Sequence, residues 1–357
     1  MSPTIFFLLL ALCTAAWISL PFVPTVMELY RRTDVLPLNV PRERLLDTRF
    51  FAHSFHDYIR RELGDPLNLA RNQGTLSDGT PVFVLGTAEQ KRMVTQARDA
   101  SRGNAPVIIA PNSTVLIAGD MLIGDIYAAQ RFESGYDATL RALYGEAEVV
   151  IGDGSAVLRW IHAEGAMRIG VGVLICGRGS SERSIELGDG SQFERLFAPE
   201  IRFGTEPPPP VIDRSAAALK PWVGAEMVDR LAVVKADVTI PADSFVDGDI
   251  VAHGRMTIGM RSKITGSIKA HRGIELEERV NVSGAVVSVR EVNVGGYCTI
   301  GGPLISEAEV FLGEGTQVGS LDRPATVTAQ KIYAAPGAVC HGTVWARKLG
   351  LVTPLIY

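Results

Sequence analysis

The sequence predicts a mainly β protein: a three-sided parallel β-helix, or β-solenoid, with 18 residues per turn, preceded by an N-terminal transmembrane helix and a small α/β adaptor. Three observations predict it. Val228, Val246, Ile264, Val282, Ile300 and Val318 are spaced by 18, and so are Ala232, Ile250, Ile268, Val286 and Leu304. The same interval relates Ile151-Gly-Asp-Gly-Ser to Ile169-Gly-Val-Gly-Val and then to Leu187-Gly-Asp-Gly-Ser. Finally, Ile5 to Val26 is an apolar stretch of 22 residues without a charge. A unit of 18 residues cannot bury its own apolar face, so it must stack on its neighbours, and stacking favours a scaffold over an enzyme.

Taken in order, residues 1–27 form the expected anchor. At about 1.5 Å per helical residue the stretch is long enough for a hydrocarbon layer of roughly 30 Å. Arg31 and Arg32 follow it and no basic residue precedes it, which places the bulk of the chain on the cytoplasmic side. A cleaved signal peptide fits less well, because Met1 to Thr4 carries no charge. Residues 28–105 form the adaptor. Leu45, Leu46, Phe50, Phe51, Phe55, Tyr58 and Ile59 have helical spacing and end at Gly64, so Arg42 to Leu63 reads as a helix. Ser77-Asp-Gly-Thr80 marks a turn before the apolar run Val82 to Leu85, and Thr87 with Gln90 opens a second helix to about Ala100.

Residues 106–205 form an irregular β-helix block, in which 129–146 breaks the register and reads as a loop or helical insertion. Residues 206–227 are a linker, stiffened by Pro207 to Pro210; Ala216 to Arg230 reads as a short helix broken at Pro221. Residues 228–347 form the regular block, with a four-residue insertion at Leu321 to Pro324. Residues 348–357 are an apolar tail that leaves the register.

The regular unit divides into three sixes. Ile264 and Ile268, Ala270 and Ile274, and Leu276 and Val280 are apolar or small, with polar residues between them. Period-two alternation puts each pair on one side of a short strand, so each six is a strand and a corner, and three close a triangle. Gly248, Gly266, Gly284, Gly302 and Gly342 suit tight corners that need positive φ. The spacing is compatible with either hand of helix. Of the four cysteines, Cys298 and Cys340 fall at inward phases; none has metal spacing, and they read as free thiols in a reducing compartment. A net charge of −4 argues against nucleic acid as a partner.

The runs Val246-Asp-Gly-Asp-Ile250-Val-Ala252, Ile264-Thr-Gly-Ser-Ile268-Lys-Ala270 and Val282-Ser-Gly-Ala-Val286-Val-Ser288 resemble the bactofilins, polymer-forming bacterial cytoskeletal proteins, over residues 228–347. The resemblance implies a right-handed β-helix that assembles end to end without a nucleotide. It also implies attachment to the bacterial inner membrane and the positioning of cell-wall or polysaccharide enzymes.

A solenoid ends in an open strand edge, which is either capped or paired with another chain. Here that edge lies near His341 to Trp345 with the tail beside it. Val344, Trp345, Leu349 and Leu351 are therefore the candidate self-association residues, in a homo-oligomer or filament. No catalytic, cofactor or metal residue is assigned. The alternative is a hexapeptide-repeat acyltransferase acting on a sugar or sugar nucleotide, for which His253 and His271, one turn apart, and His162 are the candidate bases. A zinc enzyme of the γ-carbonic anhydrase sort needs three converging histidines, and only His253 and His271 share a phase. His53 and His56 stand at i, i+3 as half of a metal site, with no third ligand near them in sequence.

Overall fold

Apolar residues 18 apart stack directly in the structure, a computed structural model that describes residues 3–23, 47–64, 74–85, 105–204, 219–224 and 227–353. The chain divides into two units, Met1–Asp47 and Thr48–Tyr357. In the first, Pro3–Ser19 is an α-helix of 17 residues and Leu20–Phe22 a 3-10 turn with proline in its first positions. No helix among the described residues is long and apolar enough to cross a membrane. Within the expected span, regular α-helical bonding gives way at Leu20 to the 3-10 turn that contains Pro21, which has no N–H to donate. The side chains of Phe7, Leu12, Trp17 and Ile18 are exposed.

The second unit is a three-sided parallel β-solenoid of about 13 turns. In the distal block, Leu231–Val234 pairs with Asp249–Ala252, which pairs with Ile268–Ala270, each partner 18 residues on. Val238–Ile240, Met256–Ile258 and Ile274–Leu276 make the second wall, and Phe245–Val246, Lys263–Ile264 and Asn281–Val282 the third. Ile250, Ile268, Val286 and Leu304 are buried, as are Ala252, Ala270, Ser288 and Ser306. Each large apolar side chain stacked in this column contributes about 1.5–3 kcal/mol relative to exposure. Cys298 is buried as a small core residue, and its Sγ–H donates to Glu277 O at 3.0 Å. After the turn at Ser320–Arg323 the walls resume, Val318 pairing with Cys340 and Val310 with Ile332.

The corners differ from the expectation. Gly248 (φ 141°) and Gly342 (φ 115°) have the expected positive φ, but Gly266, Gly284 and Gly302 do not; a Cβ on Gly266 would lie 2.3 Å from Gly248 O, and one on Gly284 2.5 Å from Gly266 O. These glycines are required by close backbone approach between turns. The left-handed corner stands elsewhere, at Asp243, Arg261, Arg279, Tyr297 and Gly315 in the distal block and at Gly119, Asp137, Gly154, Gly172 and Gly190 in the proximal one. The residue after it is hydroxylic at Ser155, Ser191, Ser244, Ser262 and Thr316. Ser262 Oγ donates to Pro241 O at 3.0 Å, and Ser155 Oγ to Gly135 O at 3.1 Å, closing a carbonyl that the corner leaves open.

The proximal block begins earlier and runs more continuously than the sequence predicts. Pro81–Val84, assigned to the adaptor, pairs in parallel with Val107–Ala110 and is part of the solenoid; Gly74–Thr75 folds back on it as an antiparallel cap. Residues 129–146 are no insertion. Met121 pairs with Thr139 at the usual step of 18, whereas Asp125 pairs with Ala142 at a step of 17. One residue is lost at a bulge, so the sequence beat fails while the ladder continues. At the distal block's first turn, Lys220–Pro221 and Met227–Val228 are short strands, the latter antiparallel to Leu231–Ala232, where a helix was expected. Val228 is consequently exposed and outside the inward column. The second adaptor helix and the proline run lie outside the described residues.

The ladder shifts register between Ala329 and Lys331, where the sequence beat is lost, but residues 349–352 stay in it. The strand Val339–Val352 runs as the last turn, with Leu349, Gly350, Leu351 and Val352 opposite Lys331, Ile332, Tyr333 and Ala334. Its other edge pairs antiparallel with Gln192–Phe203, the last turn of the proximal block. The pairing occurs on all three sides: Gln192 with Leu351, Leu196 with Val344, and Ile201 with Cys340. The two blocks thus meet tail to tail, and their buried apolar columns form one continuous core.

Candidate functional site

Two places on the solenoid gather functional side chains: the tail-to-tail joint, and the flank covered by the helix Phe50–Leu63.

At the joint stand the four residues predicted as a self-association edge. Val344 is buried opposite Leu196, and Trp345 lies opposite Arg195, whose guanidinium sits 4.9 Å from the indole centroid. Leu349 and Leu351 are half-buried, Leu351 opposite Gln192. The structure places these residues on one strand, Val339–Val352, but the edge is not open. It is occupied within the chain, because the proximal block ends in an edge of the same triangular section. On one side the joint leaves a groove of about 670 Å³ lined by Arg168, Glu186, Glu200, Arg202, Gln317 and His341 among others. Its charges are already paired, Arg168 with Glu148 at 2.9 Å and Arg202 with Glu200. His341 Nδ1–H donates to Pro199 O at 2.8 Å, leaving Nε2 to accept from the Gln317 amide at 3.3 Å. The imidazole therefore fastens one block to the other.

The helix on the flank explains why Val107–Ala110 is a continuous apolar run. One face of that strand lines the solenoid core, and the other, Val107 and Ile109, lies in a second apolar cluster with Ala52 and Ile59. Gly64 closes the helix with φ 71°, as its sequence position suggests. In that outer wall, one residue per turn, Tyr127, Tyr144, His162 and Ser180 are register partners. Tyr127 stacks on Tyr144 and Tyr144 on His162, both with centroids 5.2 Å apart. Beside them runs an acidic ladder, Glu146, Glu164 and Glu182. The helix presents Arg49, His53, His56 and Arg60 along one face. Arg60 pairs with Glu146, Arg49 with Glu182 at 3.2 Å, and His53 Nε2 lies 3.7 Å from Glu182 Oε1.

His162 is the most buried of these groups, with no exposed surface. Its Nδ1 is 2.8 Å from Ser180 Oγ and its Nε2 3.4 Å from Glu164 Oε1. Burial pushes its pKa down to about 4, against the attraction of Glu164, so the ring is neutral at neutral pH. The Tyr144 hydroxyl donates to Glu164 at 2.6 Å; burial first, and then that carboxylate, push the phenol upward. One donor atom each from His53, His162 and Glu164 falls within a 4.8 Å span. The partner that His53 lacks in sequence is supplied by the fold. His56 is not part of this trio; its ring packs 5.1 Å from Tyr144.

The histidines proposed as transferase bases are placed differently. His253 and His271 are exposed, with ring centroids 5.1 Å apart on successive turns. Among the described residues no carboxylate is hydrogen-bonded to either. His162 lies in the other block. All four cysteines are free, Cys13 exposed and Cys298 and Cys340 buried. Burial pushes the Cys298 thiol to about 11 and the Cys340 thiol to about 12.

Comparison of the chain with family models, with curated proteins and with solved structures finds no match.

Proposed function

We propose that this protein is a non-enzymatic scaffold of the bactofilin kind. In this reading it is tethered to the bacterial inner membrane by its apolar N-terminal segment, with the solenoid on the cytoplasmic side. It self-associates through solenoid tips and holds cell-envelope or polysaccharide-synthesis partners at a fixed spacing. The single observation that carries this reading is the tail-to-tail joint, in which strand edges from two solenoid blocks pair on all three sides. Tip-to-tip strand pairing, the contact such a scaffold uses to assemble, already exists within the chain. Exchange of that contact between chains, the distal block of one capping the proximal block of the next, joins copies without any new interface. The exposed Phe7, Leu12, Trp17 and Ile18 support the tether.

The test is electron microscopy and sedimentation of the full chain, with and without lipid vesicles. Rods of about 13 turns, roughly 60 Å long at about 4.8 Å per turn, are expected singly and in multiples connected through exchanged blocks, and they float with vesicles. Compact trimers that bind acetyl-coenzyme A would replace this reading with the acyltransferase. Strict monomers that ignore vesicles would remove both self-association and tether.

A further inference from the structure

The cluster between helix and wall gathers three metal-ligating side chains, His53, His162 and Glu164. His162 Nε2 and Glu164 Oε1 are 3.4 Å apart. A charge-assisted N–H to carboxylate hydrogen bond is shorter, about 2.7–2.9 Å. Two ligands at tetrahedral angles around one zinc-sized ion, each bonded at about 2.0–2.1 Å, are separated by about 3.4 Å. The third donor, a ring nitrogen of His53, completes a set spanning no more than 4.8 Å. With Nδ1–H donated to Ser180 Oγ, His162 would turn a lone pair towards the Glu164 carboxylate, an arrangement of two acceptors that a cation between them resolves.

The surroundings are those that orient metal ligands. Ser180 fixes the His162 ring, and the Tyr144 hydroxyl holds Glu164 Oε1 at 2.6 Å. Glu182, 3.7 Å from His53 Nε2, is itself held by Arg49. His53 and Glu164 are only half-buried, which gives an ion a way in.

We propose that His53, His162 and Glu164 bind a divalent transition-metal ion of the zinc class, fastening the helix Phe50–Leu63 to the solenoid wall. Two imidazoles and a carboxylate suit that class rather than magnesium or calcium, which take oxygen donors. Three protein donors leave a fourth position for water.

The experiment uses the full chain, stripped with chelator and titrated with Zn²⁺ by calorimetry, with Co²⁺ absorption reporting coordination geometry. One equivalent at this site is expected, with the intense visible bands of tetrahedral Co²⁺. His53→Ala and Glu164→Gln each weaken binding at least tenfold, and Ser180→Ala weakens it about 10- to 100-fold through loss of ring orientation. His56→Ala, on the same helix and outside the trio, leaves it unchanged, as does His253→Ala with His271→Ala. His53 and Glu164 are half-buried, so circular dichroism of those two variants should match the parent chain. Absence of Zn²⁺ binding by the parent chain would overturn the proposal, and so would binding that persists undiminished in His53→Ala or is lost in the His253/His271 variant.

Discussion

Substituting Gly350 tests the joint at its tightest point. Gly350 is paired with Phe193 across the two blocks, and a Cβ there would lie 2.2 Å from Phe193 Cε2 and 2.4 Å from Cδ2 and Cζ. Carbon atoms in contact sit about 3.5–4.0 Å apart, so the ring must shift by more than an ångström. It has little room, being 2% exposed with its centroid 5.8 Å from the Phe203 ring. If the ring stays, overpacking costs about 1–3 kcal/mol; if it is expelled, its burial, about 1.5–3 kcal/mol, is lost. Gly350→Ala should therefore destabilise by about 2 kcal/mol and Gly350→Val by about 3. Urea unfolding followed by circular dichroism measures both. The decisive arm is the double-mutant cycle: Phe193→Ala alone costs about 3–5 kcal/mol by leaving a cavity, but with Gly350→Val the valine partly fills that space. The pair should cost at least about 1 kcal/mol less than the two singles together. Additivity within about 0.5 kcal/mol would show that the two residues do not touch, and the described joint would be wrong.

Two further outcomes follow from the same structure. Gly284→Ala, which brings a Cβ within 2.5 Å of Gly266 O, should cost about 1–3 kcal/mol in the same urea assay, whereas Gly74→Ala, with nothing within 4 Å, should be neutral; equal effects would refute the glycine stack. Alkylation by iodoacetamide at pH 8.5 should modify Cys13 rapidly and leave Cys298 and Cys340 unmodified until the chain unfolds. Their thiols, raised to about 11 and 12 by burial, expose almost no thiolate at that pH; rapid native-state labelling of either, read by peptide mass spectrometry, would contradict their inward placement.

The distal block was legible because the chemistry of its inside repeats faithfully: Ile250, Ile268, Val286 and Leu304 meet the same column at every turn. The proximal block was only half legible. Steps of 17, as from Leu140 to Val157, shift the apolar phase at a bulge, and its outer wall is apolar under the helix, so alternation disappears. The left-handed corner was hidden in the distal block because Arg261, Arg279 and Tyr297 occupy it, although Gly154, Gly172 and Gly190 mark it in the proximal one. The candidate edge belongs to the last turn of the distal block, but that turn is an internal joint rather than an open end: its partner strand, Gln192–Phe203, belongs to a block whose sequence carries no trace of the pairing. Antiparallel backbone ladders demand little of side-chain identity. The metal trio was missed for a related reason. His53 and His162 meet only because the helix lies across the wall, where Arg49 reaches Glu182, 133 residues away. The signal that was available is the spacing of Glu146, Glu164 and Glu182, 18 apart and opposite a helix face bearing Arg49, His53, His56 and Arg60.

The central claim is that the two solenoid blocks close on each other within one chain. Phe197 and Thr343 are register partners in that joint, and opposed residues of an antiparallel pair, with Cα atoms about 4.5–5.5 Å apart, lie within disulfide reach. In the variant carrying Phe197→Cys and Thr343→Cys, mild oxidation of dilute protein followed by peptide mass spectrometry should give the 197–343 disulfide within monomers, and between chains only as concentration rises. A natively folded monomer that never forms this bond would contradict the joint.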